Sequence, residues 1–392
     1  MTLRGRRPAR IATACLAGLL VLMAGCDKDK KNVEPPAELI DLKPTLAVTK
    51  LWNAGVGGGG EKLRLALGLE LANDTLYVAG RKGDVVAFDP ASGRTRWSQD
   101  TKAELAAGPG AGGSLVAVGT SDGEVIALDA KTGSRLWKVS VSSEVLAAPL
   151  VTGDRVYVRT VDGRLHALDA QTGKSQWTGE DPVPKLSLRG TAAPVLAKDN
   201  VIAGFDSGKV IAFSAGTGDI AWQAQVTTPG GRSELDRLAD VDGSVQVDGN
   251  DGFAVGYHGR AVMFALDSGQ IWWNRELSSY RSPALDDTQV YVATSDGSVV
   301  ALRRRDGTIL WQQDGLRRRG LSAPAVVGNA VVVGDFDGYL HWLDRDSGKF
   351  VAREHPGGER ISLAPVAADG RVYVLDEGGK VVAYRSGAAA GS

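Results

Sequence analysis

The sequence predicts an all-β fold, an eight-bladed β-propeller built from four-stranded blades. A unit of about 40 to 45 residues recurs eight times between Asn73 and Ala383. Each unit alternates short apolar strands with hairpin turns that contain glycine, and helical periodicity is almost absent. One such unit cannot bury its own apolar face, so neighbouring units must stack. Together these three observations favour a closed ring of blades.

Residues 156–177 show the order of elements in one unit. Val156–Val158 reads as a strand, and Asp162-Gly163 predicts a hairpin because glycine accepts the positive φ that such turns need. A third strand follows at 165–168, the chain turns through 169–173, and a fourth strand carries Trp177. The aromatic residues predicted to close the successive units are Trp97, Trp137, Trp177, Trp222, Trp272, Trp311 and Phe350.

The two ends of the chain determine the number of blades. The last unit, residues 364–384, stops before its fourth strand. Residues 51–53, Leu-Trp-Asn, supply that strand from the other end of the chain, and this pairing removes two exposed sheet edges. The sequence therefore predicts a propeller over residues 45–386, closed by its N-terminal strand, with a tail at 387–392.

The N-terminus has the pattern of an export signal. Residues 1–25 carry four arginines and an apolar stretch too short to span a bilayer, and they end in Leu-Met-Ala-Gly before Cys26. This predicts a lipoprotein signal peptide over 1–25, lipidation of Cys26 and a flexible tether over 26–44. The protein is then attached to the periplasmic face of the outer membrane. Asp27 leaves the inner membrane as the alternative, because aspartate after the lipidated cysteine is a retention signal in enteric-type bacteria.

Composition bears on the kind of partner and on what stabilises the domain. The formal net charge is −1, and without the four arginines of the signal region it is −5, which gives no reason to expect a nucleic-acid partner. The two cysteines are Cys15 and Cys26, so the exported domain has no disulfide to support it and depends on its core.

No set of residues converges on catalytic or metal-binding chemistry, so we expect no catalytic residue, no metal and no cofactor. His166 and His341 occupy equivalent positions of two units four apart, on opposite sides of the ring, and are expected to be buried packing residues. Motifs for a nucleophile elbow, a zinc protease or a phosphate loop are missing from the sequence.

The repeat is interrupted in two places, and functional residues concentrate on loops held by a rigid scaffold. The first interruption, 181–190, contains Leu186, Leu188 and Arg189, an apolar pair beside a cation of the type enriched at protein interfaces. The second, between Trp222 and Phe253, contains Asp240 and Asp242. Composition favours a partner-binding surface and an internal arrangement equally. In the internal arrangement the leucines pack under the loop and Arg189 pairs with one of the aspartates.

At these residues the chain resembles a known family. The unit Ala-Leu-Asp-x-x-Thr-Gly-x-x-x-Trp is similar to the repeat of pyrroloquinoline-quinone enzymes and their non-enzymatic relatives. Residues 186–190, 234–242 and 334–344 resemble the BamB family of outer-membrane-protein assembly lipoproteins. The resemblance implies a non-enzymatic subunit of the β-barrel assembly (BAM) complex that aids the folding and insertion of outer membrane proteins. It also implies binding of a POTRA domain of BamA through Leu186, Leu188, Arg189, Asp240 and Asp242.

Other functions stay open at this point. Nascent outer membrane proteins are a further candidate partner, held by exposed strands through edge pairing. A quinone-dependent dehydrogenase is an alternative, although such enzymes usually carry longer insertions between blades and a vicinal cysteine pair. An envelope propeller that binds a ligand as a sensor is the remaining alternative.

Overall fold

The computed structural model describes residues 34–57, 66–189, 192–228, 230, 232–233 and 238–389. The predicted signal peptide, Cys26, the tether up to residue 33, residues 234–237 and the end of the predicted tail lie outside these ranges. The chain divides into two units, residues 1–36 and 37–392. Within the first unit the structure describes residues 34–36, which are exposed. Among all described residues there is no helix long and apolar enough to cross a membrane.

The second unit consists of eight antiparallel blades, which confirms the predicted eight-bladed propeller. The chain begins with β1 (Leu46–Gly55) and β2 (Ala66–Leu67). Blades 1 to 4 contain β3 (Leu69–Ala72), β4 (Thr75–Ala79), β5 (Asp84–Phe88), β6 (Thr95–Asp100); β7 (Leu105–Gly112), β8 (Leu115–Thr120), β9 (Glu124–Asp129), β10 (Arg135–Ser140); β11 (Leu150–Val151), β12 (Arg155–Arg159), β13 (Arg164–Asp169), β14 (Ser175–Glu180); β15 (Val195–Ala197), β16 (Asn200–Gly204), β17 (Lys209–Ser214) and β18 (Ile220–Gln225). Blades 5 to 8 contain β19 (Gln246–Asp248), β20 (Asp251–Val255), β21 (Arg260–Ala265), β22 (Ile271–Glu276); β23 (Ala284–Leu285), β24 (Gln289–Ala293), β25 (Val299–Arg303), β26 (Ile309–Gln313); β27 (Ala325–Val327), β28 (Ala330–Gly334), β29 (Leu340–Asp344), β30 (Phe350–Glu354); β31 (Val366–Ala368), β32 (Arg371–Leu375) and β33 (Lys380–Ala389).

Both ends of the chain contribute to blade 8, as predicted. Strand β1 pairs antiparallel with β33, and Trp52 lies opposite Ala383. Strand β33 continues to Ala389, where it pairs with Leu46. Residues 387–389, predicted as the start of the tail, therefore belong to this strand. The short β2 pairs in parallel with β7 and adds a fifth strand to blade 2.

The second and third strands of the blades form the core. Strand β8 is buried along its whole length, and β9 is buried except at its ends. Each sheet is covered on both faces by the neighbouring blades, so these strands are apolar throughout instead of alternating with polar residues. The fourth strands lie at the rim and alternate exposed and buried positions, as in β10.

The same polar contact joins adjacent blades at seven of the eight interfaces. The indole N–H of the fourth-strand tryptophan donates to a backbone carbonyl in the turn after the third strand of the next blade, at N–O distances of 2.8–3.0 Å. The pairs are Trp52–Pro90, Trp97–Ala130, Trp137–Ala170, Trp177–Ala215, Trp222–Leu266, Trp273–Arg304 and Trp311–Arg345. An indole buried at an interface needs such an acceptor, because an unsatisfied donor is costly.

A glycine in the same turn provides the room for each indole. A Cβ atom on that glycine would lie 2.4–2.8 Å from the nearest indole atom of the preceding blade, and every one of these glycines has a φ between +67° and +80°. They are Gly93, Gly133, Gly173, Gly218, Gly269, Gly307 and Gly348. We call the indole, the glycine and the accepting carbonyl the interblade clamp.

Two of the predicted closing aromatic residues are wrong. In blade 5 the clamp uses Trp273, while Trp272 is 57% exposed, because the clamp residue is the fourth after the turn glycine, here Gly269. In blade 7 the fourth residue after the turn glycine is Ala352, and Phe350 is only half-buried. Trp342 on the third strand faces Ala352, whereas in most other blades the third strand has alanine opposite a fourth-strand tryptophan. In blade 7 the tryptophan is therefore on the third strand and the alanine on the fourth, the reverse of the usual arrangement.

The ring has two faces with different connections. Antiparallel order puts the turn between first and second strands and the turn between third and fourth strands at one end of every blade, which we call the turn face. The turn between second and third strands and the connections between blades lie at the other end, the loop face. The clamps use the turn face.

Part of the predicted tether is docked on the ring. Residues 37–45, which we call the N-terminal strap, hydrogen bond to the ring from Ala37 N–H to the Arg317 carbonyl and from Thr45 N–H to the Val351 carbonyl, both at 2.9 Å. The prediction of a flexible segment up to residue 44 is therefore wrong for its last eight residues, because the backbone at Ala37, Ile40 and the following Thr45 is hydrogen bonded to the ring.

Replacing a clamp glycine tests the interblade contact. Gly269→Ala puts a Cβ 2.5 Å from the Trp222 ring, whereas Gly249, in the same blade, has a similar φ (+60° against +70°) but an added Cβ there meets nothing within 4 Å. We expect Gly249→Ala to lower the free energy of unfolding by about 1 kcal/mol through backbone strain alone, and Gly269→Ala by about 2 kcal/mol more. Urea unfolding of both variants measures this; equal losses would contradict the clamp.

Candidate functional site

The two predicted loops lie next to each other on the loop face. Residues 181–194 connect β14 of blade 3 to β15 of blade 4, and residues 226–245 connect β18 of blade 4 to β19 of blade 5. Both connections run from the rim of the ring to its innermost strands. Successive connections of this kind are neighbours in space, so the arrangement brings the two sets of predicted partner-binding residues together.

The first loop presents its predicted residues outward. The side chain of Leu186 is 41% exposed, Leu188 is half-buried and Arg189 is exposed. Arg189 has a φ of +66°, which is unusual for a residue with a side chain, and its N–H donates to the Ser187 hydroxyl at 3.2 Å. Its guanidinium pairs with Glu144, in the connection between blades 2 and 3. Arg189 therefore pairs with Glu144 and not, as in the internal arrangement, with Asp240 or Asp242.

Asp240 holds the first loop from beneath. It is fully buried, and its carboxylate accepts the backbone N–H of Leu188. A backbone donor fixes the loop more tightly than a side-chain contact, because it leaves one fewer freely rotating bond between the loop and its anchor. The residue predicted to contact a partner thus positions the loop that carries Leu186, Leu188 and Arg189.

Asp240 belongs to a buried group of charges that also includes Arg159 and Asp206. Arg159 donates to Asp206 at 2.7 Å and lies over the Phe205 ring, 5.0 Å from its centre. Burial raises the pKa of Asp240 to about 6; the Leu188 N–H opposes this, Asp206 adds to it and Arg159 opposes it. One positive charge therefore faces two carboxylates.

Asp242 lies further inward. Its side chain is buried, and it lines a cavity of about 1020 Å³ that opens at the loop face around the ring axis. Leu188 and Arg189 line the same cavity. Gly243, the next residue, packs so closely on the backbone of Arg281 that a Cβ would lie 2.6 Å from it. The predicted acidic pair is therefore beneath the surface rather than on it.

The cavity lining has charges of both signs. Arg281, Glu359, Arg360 and Glu377 contribute from the connections and turns of other blades. Among the described residues, no group of three or more His, Cys, Asp or Glu side chains is arranged to hold a metal ion. A mixed lining of this kind suits protein or peptide contacts as well as small polar molecules, so it does not by itself assign a ligand.

Both predicted packing histidines are buried and hydrogen bonded. His166 contacts the Ser142 hydroxyl at 2.9 Å and the Thr178 hydroxyl at 3.2 Å. His341 contacts Asp335 at 3.0 Å and accepts from Arg353 at 3.2 Å. Burial lowers the pKa of both imidazoles. Their side chains face different neighbours, as expected for packing residues.

Sequence reasoning missed Arg159, Asp206 and Glu144. Arg159 could have been found from the sequence. It is the last residue of a second strand, and the same position in other blades holds a small or apolar residue, such as Ala79, Gly204 or Val255. An arginine at such a position must have a buried acidic partner. Glu144 and Asp206 carry no comparable signal, since both sit in connections or turns where acidic residues are common.

Comparison with known proteins identifies relatives over nearly the whole chain. The family model described as "Outer membrane protein assembly factor BamB" matches residues 49–107, 81–313 and 295–390. A protein of that name from Pseudomonas aeruginosa is 45% identical over 371 residues, which cover 95% of this chain and 98% of the relative. Those from Alkalilimnicola ehrlichii and Bordetella pertussis are 43% and 38% identical and cover 97% and 98% of this chain, and 98% and 100% of the relatives.

Solved structures agree with this result. The crystal structure of BamB from Moraxella catarrhalis superposes with a TM-score of 0.80 at 29% identity, covering 86% of this chain and all of that one. The quinohemoprotein alcohol dehydrogenase from Comamonas testosteroni has a TM-score of 0.66 at 15% identity, covering 86% of this chain and 76% of that one. The second match shows a shared fold alone.

The buried position of Asp240 predicts a pH dependence. Its folded pKa of about 6 lies above the usual value of about 3.9, so the folded state binds the proton more tightly. Ionisation therefore costs stability as pH rises from about 4 to 6. Asp240→Asn keeps an oxygen for the Leu188 N–H and has no carboxyl group to ionise. Between pH 4 and 6 its free energy of unfolding should therefore rise relative to that of the wild type by up to about 2–3 kcal/mol. Parallel stability curves in urea unfolding at pH 4 to 8 would refute this.

Proposed function

Because the chain belongs to the BamB family of outer membrane protein assembly factors, we propose that it is a scaffold lipoprotein of the β-barrel assembly complex. In this role it binds a POTRA domain of BamA at the loop face and aids the folding and insertion of outer membrane proteins. It works by binding and positioning rather than by catalysis. The support for that choice is the group of relatives named as assembly factors, against 15% identity to the dehydrogenase.

One observation carries the assignment of the binding surface. The loop with Leu186, Leu188 and Arg189 is presented at the loop face while Asp240 anchors its backbone from inside the ring. A surface that is already ordered before binding loses little conformational entropy when the partner arrives. A few side chains can then supply most of the affinity, and a leucine pair beside an arginine is a suitable set.

Arg189 has the freedom that such a role needs. Its ion pair with Glu144 is solvent-exposed, and exposed pairs contribute about 0–1 kcal/mol. The guanidinium can therefore exchange Glu144 for a carboxylate or carbonyl of the partner at little cost. Asp240 and Asp242 serve the same surface from below, Asp240 through the Leu188 N–H and Asp242 from the wall of the cavity.

The proposed attachment to the membrane is through a lipid on Cys26. The support is the sequence before it, an arginine-rich start followed by a short apolar stretch and a cysteine. Relatives that assemble outer membrane proteins favour the periplasmic face of the outer membrane as its destination.

Charge reversal in the loop tests the binding surface. Arg189→Glu should weaken binding to the POTRA domains of BamA by about 10-fold to 100-fold, because a hot-spot arginine contributes about 1.4–3 kcal/mol. Stability should change by less than about 1 kcal/mol. Titration calorimetry measures the first quantity and urea unfolding the second.

The matched control is Arg305→Glu, which reverses another well-exposed arginine, in the turn after β25 on the opposite face. It should bind like the wild type. Copurification from detergent-solubilised membranes then asks the same question in the complex, with Leu186, Leu188 and Arg189 all changed to alanine. If the folded variant recovers BamA at the wild-type level, the loop is not part of the interface. If the wild type itself recovers no BamA, the proposed function is wrong.

Replacing the anchoring cysteine tests the membrane attachment. Cys26→Ser should lack the lipid mass that the wild type carries, because a serine cannot take the thioether-linked lipid. Mass spectrometry of both proteins purified from membranes measures this. A wild-type mass without lipid, or the same lipid mass on the variant, would contradict lipidation of Cys26.

A further inference from the structure

The interface between blades 7 and 8 differs from the other seven. Ala352 occupies the clamp position of blade 7, and Trp342 is fully buried on the neighbouring strand. The Trp342 indole nitrogen has no hydrogen-bond partner among the described residues. On the other side, β33 runs on to pair with β1, so blade 8 offers no turn glycine or turn carbonyl to a clamp. This seam therefore lacks the polar contact that the others share.

The N-terminal strap runs along blade 7 from the loop face to the turn face and continues there into blade 8. At the loop face, Ala37 donates to the Arg317 carbonyl at 2.9 Å and accepts from the Arg319 side chain at 3.2 Å. In the middle, Arg353 donates to the Ile40 carbonyl at 2.8 Å. At the turn face, Thr45 donates to Val351 of β30 and leads directly into β1 of blade 8.

The strap also covers the outer edge of blade 7. Strand β30 has no fully exposed residue, whereas β6, β10 and β26 each have three or more. Leu39 is half-buried and packs against the apolar cluster between blades 6 and 7, while the adjacent Ile40 is 64% exposed. The strap thus has an inner side and an outer side.

The arginines that hold the strap are fixed by the ring itself. Arg319 is buried and donates to Asp335 and Asp337, each at 2.7 Å. Asp335 also contacts His341, and His341 accepts from Arg353. Both donors to the strap therefore belong to one buried network, so their positions are set before the strap binds. A prepared site of this kind distinguishes a built contact from a chance one.

We propose that the strap is the staple of the blade 7–8 seam, and that it fixes the point where the N-terminal tether leaves the ring. That point is Ala37, beside the connection that holds Arg317 and Arg319, and so it lies on the loop face. Residues 27–36 span at most about 36 Å when fully extended. If Cys26 carries the proposed lipid, the strap holds the exit point, on the loop face, within that distance of the membrane.

Hydrogen exchange on the full chain tests the staple. The matched variants are Leu39→Asp, on the inner side of the strap, and Ile40→Asp, on its outer side. In the wild type and Ile40→Asp, peptides covering 37–45 and 350–354 should exchange at least about 10-fold more slowly than unstructured chain. In Leu39→Asp both peptides should lose this protection. Wild-type exchange at the rate of free peptide, or unchanged 350–354 in Leu39→Asp, would overturn the staple.

Energy transfer to acceptor lipids tests the exit point, with the lipidated protein in vesicles. A donor dye is placed on blade 3 at the loop face through Lys185→Cys or at the turn face through Gln171→Cys. Transfer should be larger from position 185, in the wild type and in Ile40→Asp, and the difference should shrink in Leu39→Asp. Equal or reversed transfer in the wild type would overturn the proposed exit point.

The two failures are distinguishable. Protein that does not float with vesicles would reject the lipid anchor, and with it the proposed distance to the membrane. The staple would still be decided by exchange at 37–45 and 350–354, which does not depend on the lipid.

Discussion

The ring depends on one repeated contact, the indole of each blade seated on a turn glycine of the next. Each clamp satisfies a buried donor and sets the separation of two sheets in the same step, since the glycine leaves room for an indole and for nothing larger. Within one repeat the glycine and the tryptophan four residues later therefore serve different interfaces, one before the blade and one after it. The spacing between them is a property of the ring rather than of a single blade.

This division of labour leaves the loop face free. The clamps use the turns between third and fourth strands, so the connections at the other face are not required to repeat, and two of them carry the insertions. Burying the Asp240 carboxylate opposes folding, as its raised pKa shows. It is offset in part by the Leu188 N–H and by Arg159. The benefit is a loop whose backbone is held at one point while Leu186 and Arg189 reach solvent.

Much of the fold could be predicted, because the repeat encodes contacts within a blade. Strand alternation, hairpin glycines and the missing last strand were sufficient for eight blades and for closure by residues 51–53, which lie within the observed strand Leu46–Gly55. Choosing between Trp272 and Trp273 required counting four residues from Gly269, and the presence of two adjacent tryptophans made either one seem suitable. Phe350 misled because an aromatic residue near the expected place was taken for the clamp. The burial of Asp240 and Asp242 could not be predicted, since it depends on how two irregular connections fold over each other and on Arg159 beneath them.

The seam between blades 7 and 8 follows from closure by the chain ends. Because blade 8 is assembled from both termini, the turn that would receive an indole from blade 7 does not exist. With no turn to receive an indole from position 352, the sequence places the large aromatic side chain on Trp342, facing Ala352, with similar total volume. Reinforcement of the seam then has to come from outside the repeat, and the segment nearest to it in the chain is the one that precedes β1. The same geometry that closes the propeller thus places the start of its tether on blade 7, at the loop face.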